Sequence, residues 1–461
     1  MVRLLLRLAA IGLAASIGFA IPSGAATSRS FAQRNLRAVP AKKAACCADV
    51  ESILYHFRWD PDTGNAADGA RPNAGVTLDP SGNGVIYGTT LFGGKHEHGT
   101  VFELVPSGSG YEESVIYSFP KGVGWSVSAA PVIVDATGAI YSTTGANATN
   151  ACGTVFKLTP TGSSYAATVL HHFQTGSDGC DPAWSGLYED SGGALYGTTI
   201  GGGNASCVNE PYQTNGCGTV FKLTPSGSGT YSESFVYRFQ GGTDGREPTA
   251  GLIADSGGAL YGTTMAGGGR GCNCGVVFKL TPTGSGSYTE RVIYDFKTYA
   301  SSGPLIADAN GDLFGTAVAR RGGGNIVYEL VPSSSEPTGY VFRIIFNQSD
   351  GRPSKVIFCS SAGALCAASF EGVSSNLAGD VFELIPPQDP SGTYSETTLF
   401  TFDGGDSGAN PSSYIVYAAG ALYGTFGVNG GPSGGHKRLA PLGGVFRLTA
   451  PSGSSSALMN R

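Results

Sequence analysis

The segments Ala250-Gly-Leu-Ile-Ala-Asp255, Gly258-Ala-Leu-Tyr-Gly-Thr-Thr264, Gly275-Val-Val-Phe-Lys-Leu-Thr281 and Tyr288-Thr-Glu-Arg-Val-Ile-Tyr-Asp-Phe296 follow one another as four strand-sized pieces. Each is rich in β-branched and aromatic residues, and Gly, Ser, Asn, Asp and Pro separate them, which is strand and turn chemistry. The pieces recur along the chain. The aromatic of the Tyr-Gly-Thr-Thr piece returns as Tyr87, Tyr141, Tyr196, Tyr261, Phe314 and Tyr423, with Cys366 in the same slot of the sixth copy. A second landmark returns as Phe102, Phe156, Phe221, Phe278, Tyr328, Phe382 and Phe446, and a third as Phe57, Phe119, Phe173, Phe239, Phe296, Phe346 and Phe402. Three independent landmarks agree on seven copies.

Four short antiparallel strands per unit define a propeller blade. We call them a (Leu-Ile-x-Asp), b (Leu-Tyr-Gly-Thr-Thr), c (Thr-Val-Phe-Lys-Leu) and d (Val-Ile-Tyr-x-Phe). The chain opens with a lone d strand at Ile53 to Phe57 and closes with a, b and c at Tyr414 to Leu448. This phase predicts a seven-bladed, all-β propeller closed by the amino-terminal strand joining the carboxy-terminal three, which removes an exposed sheet edge. A β-solenoid has much shorter rungs, and a string of sandwiches needs ~100 residues per domain. Neither accounts for the split seventh unit.

Composition agrees. Glycine supplies 72 of 461 residues, more than twice the usual ~7%, while charged residues are 13% against a usual ~25%. Few long charged helices can form, yet 41% hydrophobic residues suffice for a core. With only 28 Lys+Arg and a net charge of -6, no nucleic-acid partner is expected. Residues 1–25 read as an export signal, with Arg3 and Arg7, an apolar run from Leu8 to Ile21 and small residues through Ala26. Its removal takes two arginines and no acids, so -6 becomes -8. The organisation expected is signal 1–25, linker 26–50, propeller 51–450 and tail 451–461, with no membrane span after signal removal and a monomeric state.

The string Leu-Ile-x-Asp-x-x-Gly-x-Leu-Tyr-Gly-Thr-Thr, followed by Gly-Gly and Gly-Thr-Val-Phe-Lys-Leu-Thr-Pro, resembles the bacterial tandem repeat called GloVer, found in exported proteins. The match is closest at Leu187 to Pro225 and Leu252 to Pro282, and weakest at Pro353 to Cys366, where Ser360 replaces the usual Asp. The resemblance implies export and repeat architecture, and names neither a catalytic activity nor a ligand.

The Asp ending strand a recurs as Asp79, Asp135, Asp190, Asp255 and Asp308, and gives way to Ser360 and Tyr417 in the last two units. Carboxylates repeated at one turn position suit backbone capping, because a short carboxylate binds amides two residues on. Asp308-Ala-Asn-Gly-Asp312 is the same turn and lacks the further ligands of a calcium loop. A second element, Asp-Gly followed by Pro, joins strand d to the next strand a at Asp68, Asp178, Asp244 and Asp350. The d-to-a and b-to-c loops must emerge on one face, and that face carries the long excursions. Ligand-binding candidates there are Trp59, Trp125, Trp184, Asp178, Asp181, Asp244 and Arg246.

His96 and His98 in the first b-to-c loop, with His436 in the equivalent loop of the neighbouring seventh unit, are weak candidates for a transition-metal site, although exposed loop histidines are the plainer reading. His171 and His172 alternate along a d strand and point apart. No cofactor is expected, since serine-elbow, phosphate-loop, dinucleotide and His-Glu-x-x-His motifs are missing. Ten cysteines in an exported chain suggest disulfides, with candidate pairs Cys207–Cys217, Cys359–Cys366 and Cys152–Cys180. Cys272 and Cys274, one residue apart, are expected to pair elsewhere or stay free, and Cys46 and Cys47 have no assigned role. The expected function is a non-catalytic propeller presenting loops to a protein or polysaccharide. The alternatives are a glycan hydrolase or lyase using Asp181, Glu189, Glu210 or Glu247 near the axis, and a purely structural surface element.

Overall fold

A computed structural model of the chain describes residues 50 to 449 except 59–65, 121–130, 147–151, 183–185, 204–206, 210–213, 228, 270, 285, 302, 321–323, 349–352, 361–362, 370–377, 390–391, 405–407, 413 and 428–441. The expected signal, tail and most of the linker therefore lie outside the described residues, as do Cys46, Cys47, Trp59, Trp125, Trp184, Glu210, Asp350 and His436.

The described chain forms a seven-bladed β-propeller of antiparallel sheets. Blade 4 is representative, with strands Ile253–Ala254, Leu260–Thr263, Val276–Pro282 and Tyr288–Asp295 in the order a-b-c-d. Blades 5 and 7 each gain a short extra segment, Tyr299–Ser301 and Ala409–Pro411, beside strand b. The ring closes as its phase predicts. The amino-terminal strand Val50–His56 pairs antiparallel with Gly444–Thr449, setting Ile53 opposite Phe446. Backbone hydrogen bonds from Phe57 N to Gly443 O (2.9 Å) and from Leu442 N to Phe57 O (3.0 Å) extend that latch.

The landmarks acquire physical roles in this ring. The d-strand Phe of one blade packs edge-on against the c-strand aromatic of the next, as in Phe119–Phe156, Phe173–Phe221, Phe239–Phe278 and Phe296–Tyr328, with centroids 5.0 to 5.4 Å apart. Phe57–Phe102 makes the same contact across the closure at 5.0 Å. The Gly of strand b lies under the c-strand ring: a Cβ at Gly262 would sit 2.5 Å from Phe278 Cζ. The first Thr after it fastens neighbouring blades, because Thr198 and Thr425 donate to the carbonyls of Pro248 (3.0 Å) and Ala74 (2.8 Å) on the segments entering the next strand a. Seven buried clusters result, each shared by two adjacent blades, and one of them unites Phe57 and Phe102 with Tyr423 and Val445.

The structure corrects three sequence assignments. Phe346 faces Val327, the place that Tyr294 holds opposite Val277, so the third landmark of blade 5 falls two residues later, at Gln348. Pairing Phe358 with Leu365 and Ala418 with Ala421 puts Cys359 and Ala418, not Ser360 and Tyr417, at the strand-a Asp position. Cys272 and Cys274 are bonded to each other. Asn273 between them adopts φ 54°, and the turn brings the two Cα atoms to 5.2 Å, within the ordinary span of a disulfide. The pairs Cys152–Cys180, Cys207–Cys217 and Cys359–Cys366 form as expected.

The recurring Asp is a turn device. Asp135 Oδ1 accepts from the amides of Thr137 (2.8 Å) and Ala139 (3.0 Å), while Tyr141 Oη donates to its Oδ2 (3.0 Å). Asp190, Asp255 and Asp308 repeat the amide contacts.

Candidate functional site

Residues opening strand a from all seven blades line one cavity of ≈ 110 Å³, so strand a is innermost and the cavity is axial. Strand register makes Gly75, Pro131, Gly186, Gly251, Pro304, Lys355 and Tyr414 equivalent. Gly and Pro let the blades converge there: a Cβ at Gly75 would collide with the Tyr414 backbone. The rest of the lining is aliphatic, including Val132, Leu187, Leu252, Leu305 and Ile415. Lys355 breaks the pattern, and its ammonium lies over the ring of Tyr414. Burial holds its pKa well below the usual lysine range, and among the described residues it has no ion-pair partner. Aligning the repeats exposes Lys355 as an exception, a signal present in the sequence that composition alone hides.

The cavity is bounded by the ends of strand a that receive the d-to-a loops. Those loops pair with b-to-c loops, Gly179 with Gly202 and Arg246 with Ala266, so both sets share one face as the alternation of strands requires. Three disulfides lie in loops of this face: Cys152–Cys180 ties two loops together, while Cys207–Cys217 and Cys272–Cys274 each close a b-to-c loop. Asp181 sits beneath it, buried, accepting from the Ala146 amide (3.2 Å). Arg246 Nη1 lies 3.7 Å from the buried Glu247 Oε1. Glu189 lies near Asp135, Lys157 and Asp190, and burial raises its pKa. Asp181, Glu189, Glu247 and Arg246 do not line the cavity.

Asp178 and Asp244 face the seams between the outermost strands. In the seam between blades 3 and 4, Asp244 Oδ2 accepts from Tyr237 Oη (3.0 Å) and the Gln240 amide (2.7 Å), with Glu290 of the next d strand beside it. The seam between blades 7 and 1 repeats this with Tyr55, Asp68 (2.7 Å) and Glu113. Burial, then the neighbouring Asp charge, pushes Glu113 up to about 8 and Glu290 up to about 7. Between blades 4 and 5, where no such Asp exists, Tyr294 stacks on Phe342 at 4.0 Å in the same two strand positions.

The seam between blades 2 and 3 differs by one residue. His171 replaces the tyrosine, with Nε2 3.5 Å from Asp178 Oδ2 and 3.8 Å from Glu233 Oε1. Burial opposes charge on His171, but the Asp178 contact and the Glu233 charge outweigh it and raise its pKa. Burial would likewise raise Asp178; the His171 contact and the Gln174 amide hold it below the usual carboxylate range. Glu233 is pushed up to about 7 by burial and the Asp178 charge. These three are the cluster of potential metal ligands that forms among the described residues; His96 and His98 join no such cluster. Alternation does point His172 away from His171, but the partners of His171 come from outside its strand. The missed signal was His171 standing where other d strands carry Tyr.

Residues 47–210 match the Gloeobacter/Verrucomicrobia repeat, the repeat that the motifs of that stretch resemble. No curated protein sequence matches it. Solved structures similar to it include an ulvan lyase of a polysaccharide lyase family (TM-score 0.48, 11% identity, 86% of this chain and 95% of that one). An aldose sugar dehydrogenase from Streptomyces coelicolor in its PQQ-bound form gives a TM-score of 0.39 at 12% identity, covering 75% and 99%. A nidogen/laminin complex gives 0.35 at 13%, covering 60% and 83%. Among the described residues no helix is long and apolar enough to cross a membrane.

Proposed function

We propose that this protein is an exported, non-catalytic propeller whose loop-bearing face recognises a protein or polysaccharide partner. The observation that carries this reading is the concentration of three disulfides in the loops of one face, on blades 2 to 4. Covalent ties reduce the ordering entropy that a loop loses on binding, which is how a display surface gains affinity without new contacts. Disulfides also persist mainly in oxidising compartments, in keeping with the signal-like residues 1–25. A glycosidase needs two carboxyl groups ~5 to 9.5 Å apart at a cleft. The axial cavity instead offers an aliphatic wall and Lys355, which suits holding a group rather than cleaving it.

The test is a screen of the purified chain against envelope and plant polysaccharides, recording binding and released product together. Binding without product is expected; release of sugar overturns the reading.

A further inference from the structure

The ring repeats one outer-seam arrangement and then changes a single side chain in it. Where the d-to-a loop carries the described acids Asp68, Asp178 and Asp244, the following d strand supplies Glu113, Glu233 and Glu290 at one register position. Between blades 4 and 5, whose loop has no Asp, that position is Phe342, and between blades 1 and 2 the residue paired with Leu158 there is Ala167. In these five seams the carboxyl pair is present or replaced as a whole. Two of the three described units are completed by a tyrosine hydroxyl, Tyr55 or Tyr237, whose single proton satisfies one carboxylate oxygen. The third is completed by an imidazole nitrogen, a donor that takes metal ions where a phenol bound to a carboxylate does not.

We propose that His171, Asp178 and Glu233 bind one divalent transition-metal ion of the Zn2+ class in the seam between blades 2 and 3. Their ligand atoms lie within 4.8 Å of one another, so one ion can reach all three with small rotations. His171 Nε2, Asp178 Oδ1 and Glu233 Oε1 are enclosed and make no well-formed hydrogen bond, the nearest approach of His171 Nε2 being Asp178 Oδ2 at 3.5 Å, whereas Asp178 Oδ2 also accepts from the Gln174 amide (2.8 Å), which orients the carboxylate. Enclosed polar atoms without a well-formed hydrogen bond are costly, and an ion held by the three side chains would offset that cost. One nitrogen and two carboxylate oxygens form a borderline-hard donor set; three protein ligands leave a fourth position for water or a ligand oxygen. Arg238, whose Nε donates to the Ser177 carbonyl (3.2 Å), is the cation next to the site. It leaves the two carboxylates in place to offset the charge of the ion. Each ligand side chain is 15 to 20% accessible, so an ion has a path in from solvent.

The repeat supplies its own control. His171→Tyr installs the residue used at the same register in blades 3 and 7, and is expected to fold with an unchanged melting midpoint. Chelator-treated, dialysed full-length protein would be titrated with Zn2+ by calorimetry, and the ion content of reloaded protein counted by elemental analysis. The wild-type chain is expected to hold one ion more per chain than the His171→Tyr variant. A Glu233→Gln variant, which keeps the shape and loses one anionic ligand, is expected to weaken that site by ~10-fold or more. Equal ion content in wild type and both variants, or no bound ion in any, overturns the proposal in favour of a proton shared among the three groups.

Discussion

Blades 4 and 6 hold the same hairpin closed by different means. In blade 4, Tyr261 Oη donates to Asp255 Oδ2 (3.0 Å), joining the end of strand a to strand b. In blade 6 the same two register positions are Cys359 and Cys366, joined by a disulfide. The blade 6 turn is one residue longer, and the second duty of the Asp passes to Ser360, whose Oγ accepts from the Ala364 amide (3.2 Å), as Asp255 Oδ1 accepts from Ala259 (2.9 Å). The fold therefore requires a cross-link and a capped amide at this hairpin, and tolerates their division between two residues. The blades differ again beneath the c-strand ring. Blade 4 places Gly262 opposite Phe278; blade 6 places Ala367 opposite Phe382. A shared backbone register thus conceals separately adjusted packing.

The difference can be pressed hardest at the disulfide. Replacing Cys359 and Cys366 together by Ser is expected to cost about 2 to 3 kcal/mol in a urea titration, because the bond closes a short loop of sequence separation 7. An unchanged midpoint would show that blade 6 does not need the fastening. Next in size is Gly262→Ala, whose Cβ would meet Phe278 Cζ at 2.5 Å and Leu252 Cδ2 at 2.9 Å; overpacking of this kind costs about 1 to 3 kcal/mol. The converse Ala367→Gly should lose about 0.5 to 1 kcal/mol through backbone entropy. If Gly262→Ala proves neutral in thermal unfolding, the two blades pack alike after all. Tyr261→Phe is expected to cost a similarly modest amount, about 0.5 to 1.5 kcal/mol. Asp255 keeps the Gly257 and Ala259 amides and has Lys279 Nζ at 3.7 Å, so a loss as large as that of the disulfide would contradict the comparison.

Much of the ring was legible because its landmarks mark contacts between blades. A Phe that packs on the next blade must recur once per blade, as Phe119 and Phe156 do. The legibility ended where a blade departs from period. Phe346 keeps the residue type two register positions early, and it still meets Phe382 of the next blade, at 6.0 Å. Cys272 and Cys274 were misread because spacing alone says nothing of the left-handed turn at Asn273 that joins them. Asp178 and Asp244, expected as loop residues facing a ligand, meet His171 and Tyr237 in seams between strands.

The amino-acid sequence by itself determined the number of blades, the strands in each and the closure of the ring. Those properties follow from local periodicity and from counting, and both survive without coordinates. Tertiary structure alone decided that Lys355 enters an aliphatic axial cavity and that His171 meets Asp178 and Glu233. Glu233 lies 62 positions from His171 along the chain. Their meeting depends on how two twisted sheets lie against each other, and no one-dimensional pattern records that.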